Sequence, residues 1–232
     1  MKPVNKKDVE EMFNLISPKY DFLNDIFSFG LHRIWKRKLL NILNPTFGEE
    51  WVDLCCGTGD MSILLAKYLK SSENITGIDS ASKVLFVARE RSKGNNSSIK
   101  WINGDALETN LPSNEYDGLL MAYGLRNLSN SEAGLKEAFR LLKPGGRAGI
   151  LDFRSFKGPS IQGLFQKIYL SFYVVPISSL FGLGKEYSYI KKSLVHFPSG
   201  EQQIHLALSV GFKKAKYQTL AMGQMGILLL EA

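Results

Sequence analysis

Cysteine is almost absent from this 232-residue chain, and the two that occur, Cys55 and Cys56, are neighbours. Neighbouring cysteines pair only with strain, and they lack the spacing of a metal-ligand set. No disulfide framework and no metal site are expected, and a reducing, intracellular setting follows. Long apolar runs are missing too. The most apolar stretch, 161–183, is broken by Lys167 and Pro176 and is rich in serine. It contains no clean run long enough to span a bilayer. The N-terminal Lys6-Lys7-Asp8-Val9-Glu10-Glu11 is charged where a signal peptide would be apolar. The net charge is +7, yet the basic residues are scattered and no aromatics interleave them. That speaks against a nucleic-acid face. A solvated surface or contact with anionic lipid remains.

What is present centres on Asp53-Leu54-Cys55-Cys56-Gly57-Thr58-Gly59, directly after the apolar pair Trp51-Val52. An apolar run ending in a glycine turn predicts strand, tight loop and helix, the helix running from Asp60 through Lys70. Glycine lets a ligand approach the backbone where a side chain would block it. A second apolar run, Ile75-Thr76-Gly77-Ile78, ends in Asp79. An acid at the tip of a second parallel strand can accept hydrogen bonds from both ribose hydroxyls. Together these features predict a nucleoside-bearing cofactor. A dinucleotide loop needs a third glycine, and Ser62 stands there. Asp60 at the helix start would compete with a pyrophosphate but suits the cationic end of S-adenosylmethionine.

A third strand, Ile99 to Ile102, is followed by Gly104-Asp105-Ala106. Asp105 there can accept from an adenine amino group or simply cap a helix. A fourth strand, Tyr116 to Met121, runs into Ala122-Tyr123-Gly124-Leu125-Arg126-Asn127. A helix over 131–142, a Lys143-Pro144-Gly145-Gly146 stop and a fifth strand over 147–152 follow. The aromatics of 161–183 exceed what one helix face buries. Core packing explains part of them, and a greasy channel or a lipid-facing surface would explain the rest.

At this point the chain resembles the quinone-biosynthesis C-methyltransferases, the UbiE/MenG type, over nearly its whole length. The resemblance rests on Ile16-Ser17-Pro18-Lys19-Tyr20-Asp21-Phe22-Leu23-Asn24, on Ser28-Phe29-Gly30-Leu31-His32-Arg33-Ile34-Trp35, on the glycine loop through Asp60, on Tyr123-Gly124-Leu125-Arg126-Asn127, on Lys143-Pro144-Gly145-Gly146, on 187–193 and on Phe197-Pro198. It implies a Rossmann-like α/β fold of the class I S-adenosylmethionine-dependent kind, with a seven-stranded, mostly parallel sheet. Residues 1–45 would form a helical cap from helices over 9–16 and 31–43, 46–155 a cofactor-binding core, and 156–232 a substrate-side helix and the last strands, near 213–219 and 226–230. The cofactor residues would be Asp53, Gly57, Thr58, Gly59, Asp79, Asp105 and Ala106. Many members carry a serine where Ala122 stands here. Ala221-Met222-Gly223-Gln224-Met225-Gly226-Ile227 is similar to the cyanobacterial and plastid branch. That branch methylates 2-phytyl-1,4-naphthoquinol to phylloquinol for photosystem I. Demethylmenaquinol or a ubiquinol precursor, and a non-catalytic scaffold role, are the alternatives. A cytoplasmic protein with peripheral contact at thylakoid or plasma membrane is implied.

Methylation at a ring carbon requires loss of a neighbouring phenolic proton. Orienting the reactants contributes about 7–11 kcal/mol in good cases, and a positioned base about 10²–10⁴-fold. Arg126 is expected to bind the phenolate and orient a water, since a guanidinium is too basic to be the base itself. Asn127 would fix the other quinol oxygen, and Tyr123 would pack on the ring or the cofactor. His32 is a second candidate, as a proton shuttle or as a structural group. Tyr20, Asp21 and Asn24 would hold the cap or touch the quinol.

Overall fold

The computed structural model describes residues 5–94 and 98–232. Its strands are β1 (Trp51–Leu54), β2 (Ile75–Asp79), β3 (Lys100–Asn103), β4 (Tyr116–Ala122), β5 (Leu142–Phe153), β6 (Lys214–Leu220) and β7 (Met225–Glu231). They form one sheet in the order β3-β2-β1-β4-β5-β7-β6. The first five are mutually parallel, and β7 runs antiparallel between β5 and β6. Strand β1 is buried throughout and β4 nearly so, as strands at the centre of a sheet are. The order reverses at β1, between β2 and β4. Open α/β sheets place ligands outside the strand ends at that point.

Three helices, α1 (Lys6–Ile16), α2 (Tyr20–Ser28) and α3 (Leu31–Leu43), precede the sheet. The family resemblance implied the first, over 9–16, and the third, over 31–43. The second buries Leu23 and Phe27, four residues apart on one face. It stops where Phe29 and Gly30 turn left-handed at φ 51° and 73°. Helices α4 (Asp60–Leu69), α5 (Ser82–Lys93) and α6 (Ser131–Leu141) pack around the parallel strands. The Lys143-Pro144-Gly145-Gly146 run follows α6 as predicted, but it already belongs to β5, which starts at Leu142 through a register shift against Tyr116.

Residues 161–180 form one helical stretch: α7 (Ile161–Tyr169), a π-helical segment Leu170–Val174 and α8 (Val175–Leu180). Helices α9 (Gly184–His196) and α10 (Gly200–Ser209) lead to the last hairpin. Among the described residues, no helix is long and apolar enough to cross a membrane.

Candidate active site

The loop after β1 takes left-handed backbone at Cys55, Gly57 and Gly59, with φ of 57°, 55° and 81°. A Cβ on Gly57 would meet nothing within 4 Å, so this backbone faces open space. A Cβ on Gly59 would instead sit 2.6 Å from the Trp101 indole. Gly59 thus serves packing, and it does not line the cavity in front of the loop. Ser62, at the position of the missing third glycine, is fully buried and donates to Asp53 Oδ2 at 2.6 Å. That bond joins helix to strand in place of close glycine packing.

Asp53 lies beneath the loop, outside the cavity lining, with Oδ1 buried and unpartnered. Burial pushes its pKa up to about 7, against the hydrogen bond from Ser62. An acid that keeps its proton to higher pH when folded stabilises the fold at low pH and loses that contribution as pH rises through its folded pKa. Stability should therefore fall by on the order of a few kcal/mol between about pH 4 and pH 7 on this account. Asp53→Asn should flatten that window in urea titrations. An unchanged pH profile would refute the assignment.

Asp79 ends β2 and lines the cavity. Its Oδ2 accepts from Gly57 N at 2.8 Å and its Oδ1 from Ala81 N at 2.9 Å. Each oxygen keeps a further lone pair, and burial raises the pKa despite those bonds. Asp105, Ala106, Ala122, Tyr123 and Asn127 line the same cavity. Asp105 caps no helix; its Oδ1 accepts from Leu107 N in a turn. Depth, a buried carboxylate with spare lone pairs and a side-chain-free loop fit an adenosine.

Two expectations for this loop need correction. Asp60 does not face the cavity. Its oxygens are taken by Lys36 Nζ at 2.9 Å and Arg91 Nη2 at 2.6 Å, and these cations hold its carboxyl well below the usual range despite burial. Thr58 lies outside the lining as well: its hydroxyl donates to Asp21 Oδ1 at 2.9 Å, and Arg91 Nη1 reaches both its carbonyl and Asp21. Asp21, Thr58, Asp60, Arg91 and Lys36 form a charged bolt between the cap, the glycine loop and α5. Burial and the like charge of Asp60 raise the pKa of Asp21 within it.

A second cavity adjoins the first. Phe13, Tyr20 and Tyr123 line both, so these side chains are the partition. Arg126 opens into the second cavity. It is buried, with Nε 3.0 Å from Asp152 Oδ1 but its N–H not directed along that contact. Its Nη1 donates to Asn127 Oδ1 at 2.6 Å, and Asn127 Nδ2 donates to the Tyr123 carbonyl at 2.8 Å. Asn127 therefore spends its amide on positioning Arg126 and Tyr123 and faces the first cavity, so the role predicted for it on a quinol oxygen is corrected. His32 lines the second cavity, with Nδ1 2.7 Å from Ser28 Oγ. Burial and then Lys36 lower its pKa, so it is neutral at pH 7.

Seven buried side-chain polar atoms among the described residues have no hydrogen-bond partner, and six of them line this second cavity. They are Asn24 Nδ2, Tyr123 OH, Arg126 Nε, Glu186 Oε2, Tyr187 OH and Tyr189 OH. Burial raises the pKa of Tyr123, Tyr187 and Tyr189, so each phenol is a donor at neutral pH. Glu186, Tyr187 and Tyr189 were not predicted as site residues; the family-like stretch over 187–193 pointed at two of them without assigning a role.

This sheet order, a left-handed glycine loop after β1 and a buried acid ending β2 define the class I S-adenosylmethionine-dependent methyltransferases. The Haemonchus contortus phosphoethanolamine N-methyltransferase 2 solved with S-adenosyl-L-methionine shares the fold, with a TM-score of 0.66 at 13% identity over 85% of this chain and 52% of that one. The chain belongs to the ubiE/COQ5 methyltransferase family, whose model matches residues 1–229. It is an enzyme of that family, and its cofactor is S-adenosylmethionine. It is 42% identical over 226 residues to the 2-phytyl-1,4-naphtoquinone methyltransferase of Synechococcus elongatus, covering 97% of each chain. It is 38% identical over 222 residues to the chloroplastic 2-phytyl-1,4-beta-naphthoquinone methyltransferase of Arabidopsis thaliana, covering 94% of this chain and 85% of that one.

Proposed function

We propose that the chain methylates a ring carbon of 2-phytyl-1,4-naphthoquinol, giving phylloquinol. The observation that carries this reading is the second cavity: five unpartnered buried polar atoms and the ion-paired guanidinium of Arg126, set in a largely aromatic and aliphatic wall. A flat apolar head with two hydroxyls matches it, because buried donors and acceptors without partners cost free energy that such a head removes. The relatives named for this reaction support the same choice. So does Met225, from the C-terminal segment like that of the cyanobacterial and plastid branch, which lines the cavity.

In the first cavity Asp79 would hold the ribose hydroxyls, the Gly57 backbone would face the cofactor, and Asp105 and Ala106 would border the adenine. Bound S-adenosylmethionine supplies an electrophilic methyl carbon. Arg126 holds the quinol oxygen beside the reacting carbon and stabilises the phenolate once its proton leaves. Asn127 and Asp152 keep the guanidinium in place. Among the described residues Glu186 is the one carboxylate lining the cavity and His32 the one imidazole, so these receive the phenolic proton directly or through water. The ring carbon would take that methyl group, with S-adenosylhomocysteine as the leaving group. That carbon next loses its own hydrogen as a proton, and the aromatic quinol is restored. Tyr20 and Tyr123 keep the two reactants in line and exclude water.

The test is methyl transfer from labelled S-adenosylmethionine to chemically reduced 2-phytyl-1,4-naphthoquinone in detergent, with demethylmenaquinol and demethylubiquinol precursor as competitors. Label appearing mainly in phylloquinol is expected. Label mainly in another quinol moves the acceptor, and no labelled quinol at all overturns the reading.

A further inference from the structure

Helix α7 is inside out. The residues it turns toward the protein are Gly163, Gln166 and, in the π-helical turn after it, Leu170 and Val174. Gln166 Nε2 donates to the Arg154 carbonyl at 3.1 Å, and a Cβ on Gly163 would sit 2.9 Å from Ser160 Oγ. The residues turned to solvent are Ile161, Leu164, Phe165, Ile168 and Phe172, exposed by 85%, 60%, 52%, 49% and 80%. Their spacing of three, four and seven puts them on one stripe. A soluble helix normally buries such a stripe, and a contiguous exposed apolar patch marks a contact surface.

Two further observations name the occupant. Between residues 154 and 197 the chain carries six basic residues, Arg154, Lys157, Lys167, Lys185, Lys191 and Lys192, against one acid, Glu186. That acid lines the second cavity. The segment that carries the apolar stripe is therefore strongly basic, which matches an anionic leaflet. The stripe is also continuous with the substrate cavity. Phe165 stacks on Tyr169 at 6.3 Å, Tyr169 on Tyr173 at 5.3 Å, and Tyr173 on the exposed Phe29 at 5.5 Å. Tyr169 lines the cavity. Tyr173 OH donates to the Ile26 carbonyl at 3.2 Å, and Tyr169 OH to that of Phe27, which fixes this aromatic ladder against α2.

We propose that the stripe over 161–172, with Phe29, is a docking surface for an anionic phospholipid bilayer. Helix α7 lies in the headgroup plane, and the substrate's isoprenoid tail passes from the membrane along the aromatic ladder while its head enters the cavity. The route of the tail rests on the quinol reading above; the docking surface does not. Tail and protein then share one apolar phase, so the tail never crosses water.

Flotation of the full chain with vesicles tests this. Wild type should bind vesicles of phosphatidylcholine mixed with phosphatidylglycerol and bind pure phosphatidylcholine weakly. Ile168→Gln with Phe172→Gln removes two exposed apolar side chains outside both cavities, and vesicle partitioning should drop by about tenfold or more. The double variant should melt like wild type and turn over a short-tailed naphthoquinol in detergent at the wild-type rate. Lys185→Glu with Lys192→Glu should abolish the preference for phosphatidylglycerol. Wild type that stays unbound, or a double variant that floats as well as wild type, would overturn the proposal. So would a lipid-free dimer, seen by light scattering, that the double variant dissociates, because a second copy would then cover the stripe. Failure of quinol turnover in detergent would instead count against the substrate alone.

Discussion

Arg126→Ala should lower kcat by about 10²–10³-fold, the usual cost of removing a buried donor aimed at a developing oxyanion. Affinity for S-adenosylmethionine should change little, since Arg126 lines the second cavity and not the first. The residue is also half of a buried ion pair with Asp152, and truncation leaves that carboxylate without its cation. Breaking a buried pair costs about 3–5 kcal/mol, so the melting temperature should fall as well. A second variant separates the two effects. Asp152→Asn keeps an acceptor for only one of the Arg126 and Phe153 amides, which now bond Oδ2 and Oδ1 at 3.1 and 2.8 Å, and removes the charge facing the guanidinium. It leaves the guanidinium in place but less firmly aimed, so kcat should fall by about tenfold with cofactor affinity intact. Single-turnover assays at saturating cofactor measure both. Arg126→Ala turning over within about tenfold of wild type would remove Arg126 from the chemistry.

Asp79→Ala should raise the dissociation constant for S-adenosylmethionine by about 10²–10³-fold. Two hydrogen bonds to a charged acceptor are lost, each worth about 1.5–3 kcal/mol. The same carboxylate bonds the amides of Gly57 and Ala81, so part of the loss comes from a loosened glycine loop. Asp79→Asn tests that share, because an amide presents one acceptor and one donor, and the donor side must face a backbone N–H. It should bind about as poorly as the alanine variant and not midway between it and wild type. Calorimetric titration with S-adenosylhomocysteine gives both constants without turnover. An unchanged constant for Asp79→Ala would place the ribose elsewhere.

The glycine loop, the tip of β2 and five of the seven strands were legible because each is a local pattern: an apolar run, a turn residue, a polar residue at the strand end. Helix α3 spans Leu31–Leu43, the bounds that the family resemblance implied. Asp60 was misread because its partners lie 24 and 31 positions away, at Lys36 and Arg91. From sequence its charge stood beside the cofactor, and only the closed cap shows it already neutralised. Asn127 was misread in the same way, since its amide is used up within four residues once the turn over Leu125–Asn127 forms. Helix α2 was passed over because its residues were read as a motif, although Leu23 and Phe27 already carried helical spacing.

By itself the sequence determined the α/β class, the nucleoside-bearing cofactor and the excess of aromatics after β5, because composition and short-range periodicity are local properties of the chain. Tertiary structure alone decided which side chains meet. It brought Asn24, Tyr123, Arg126, Glu186, Tyr187 and Tyr189 around one cavity from three separate segments, and it turned the apolar stripe of α7 outward. Periodicity states that a helix has an apolar face. Which way that face points is settled by what the rest of the chain packs against it, and here Gly163 and Gln166 took the inner side.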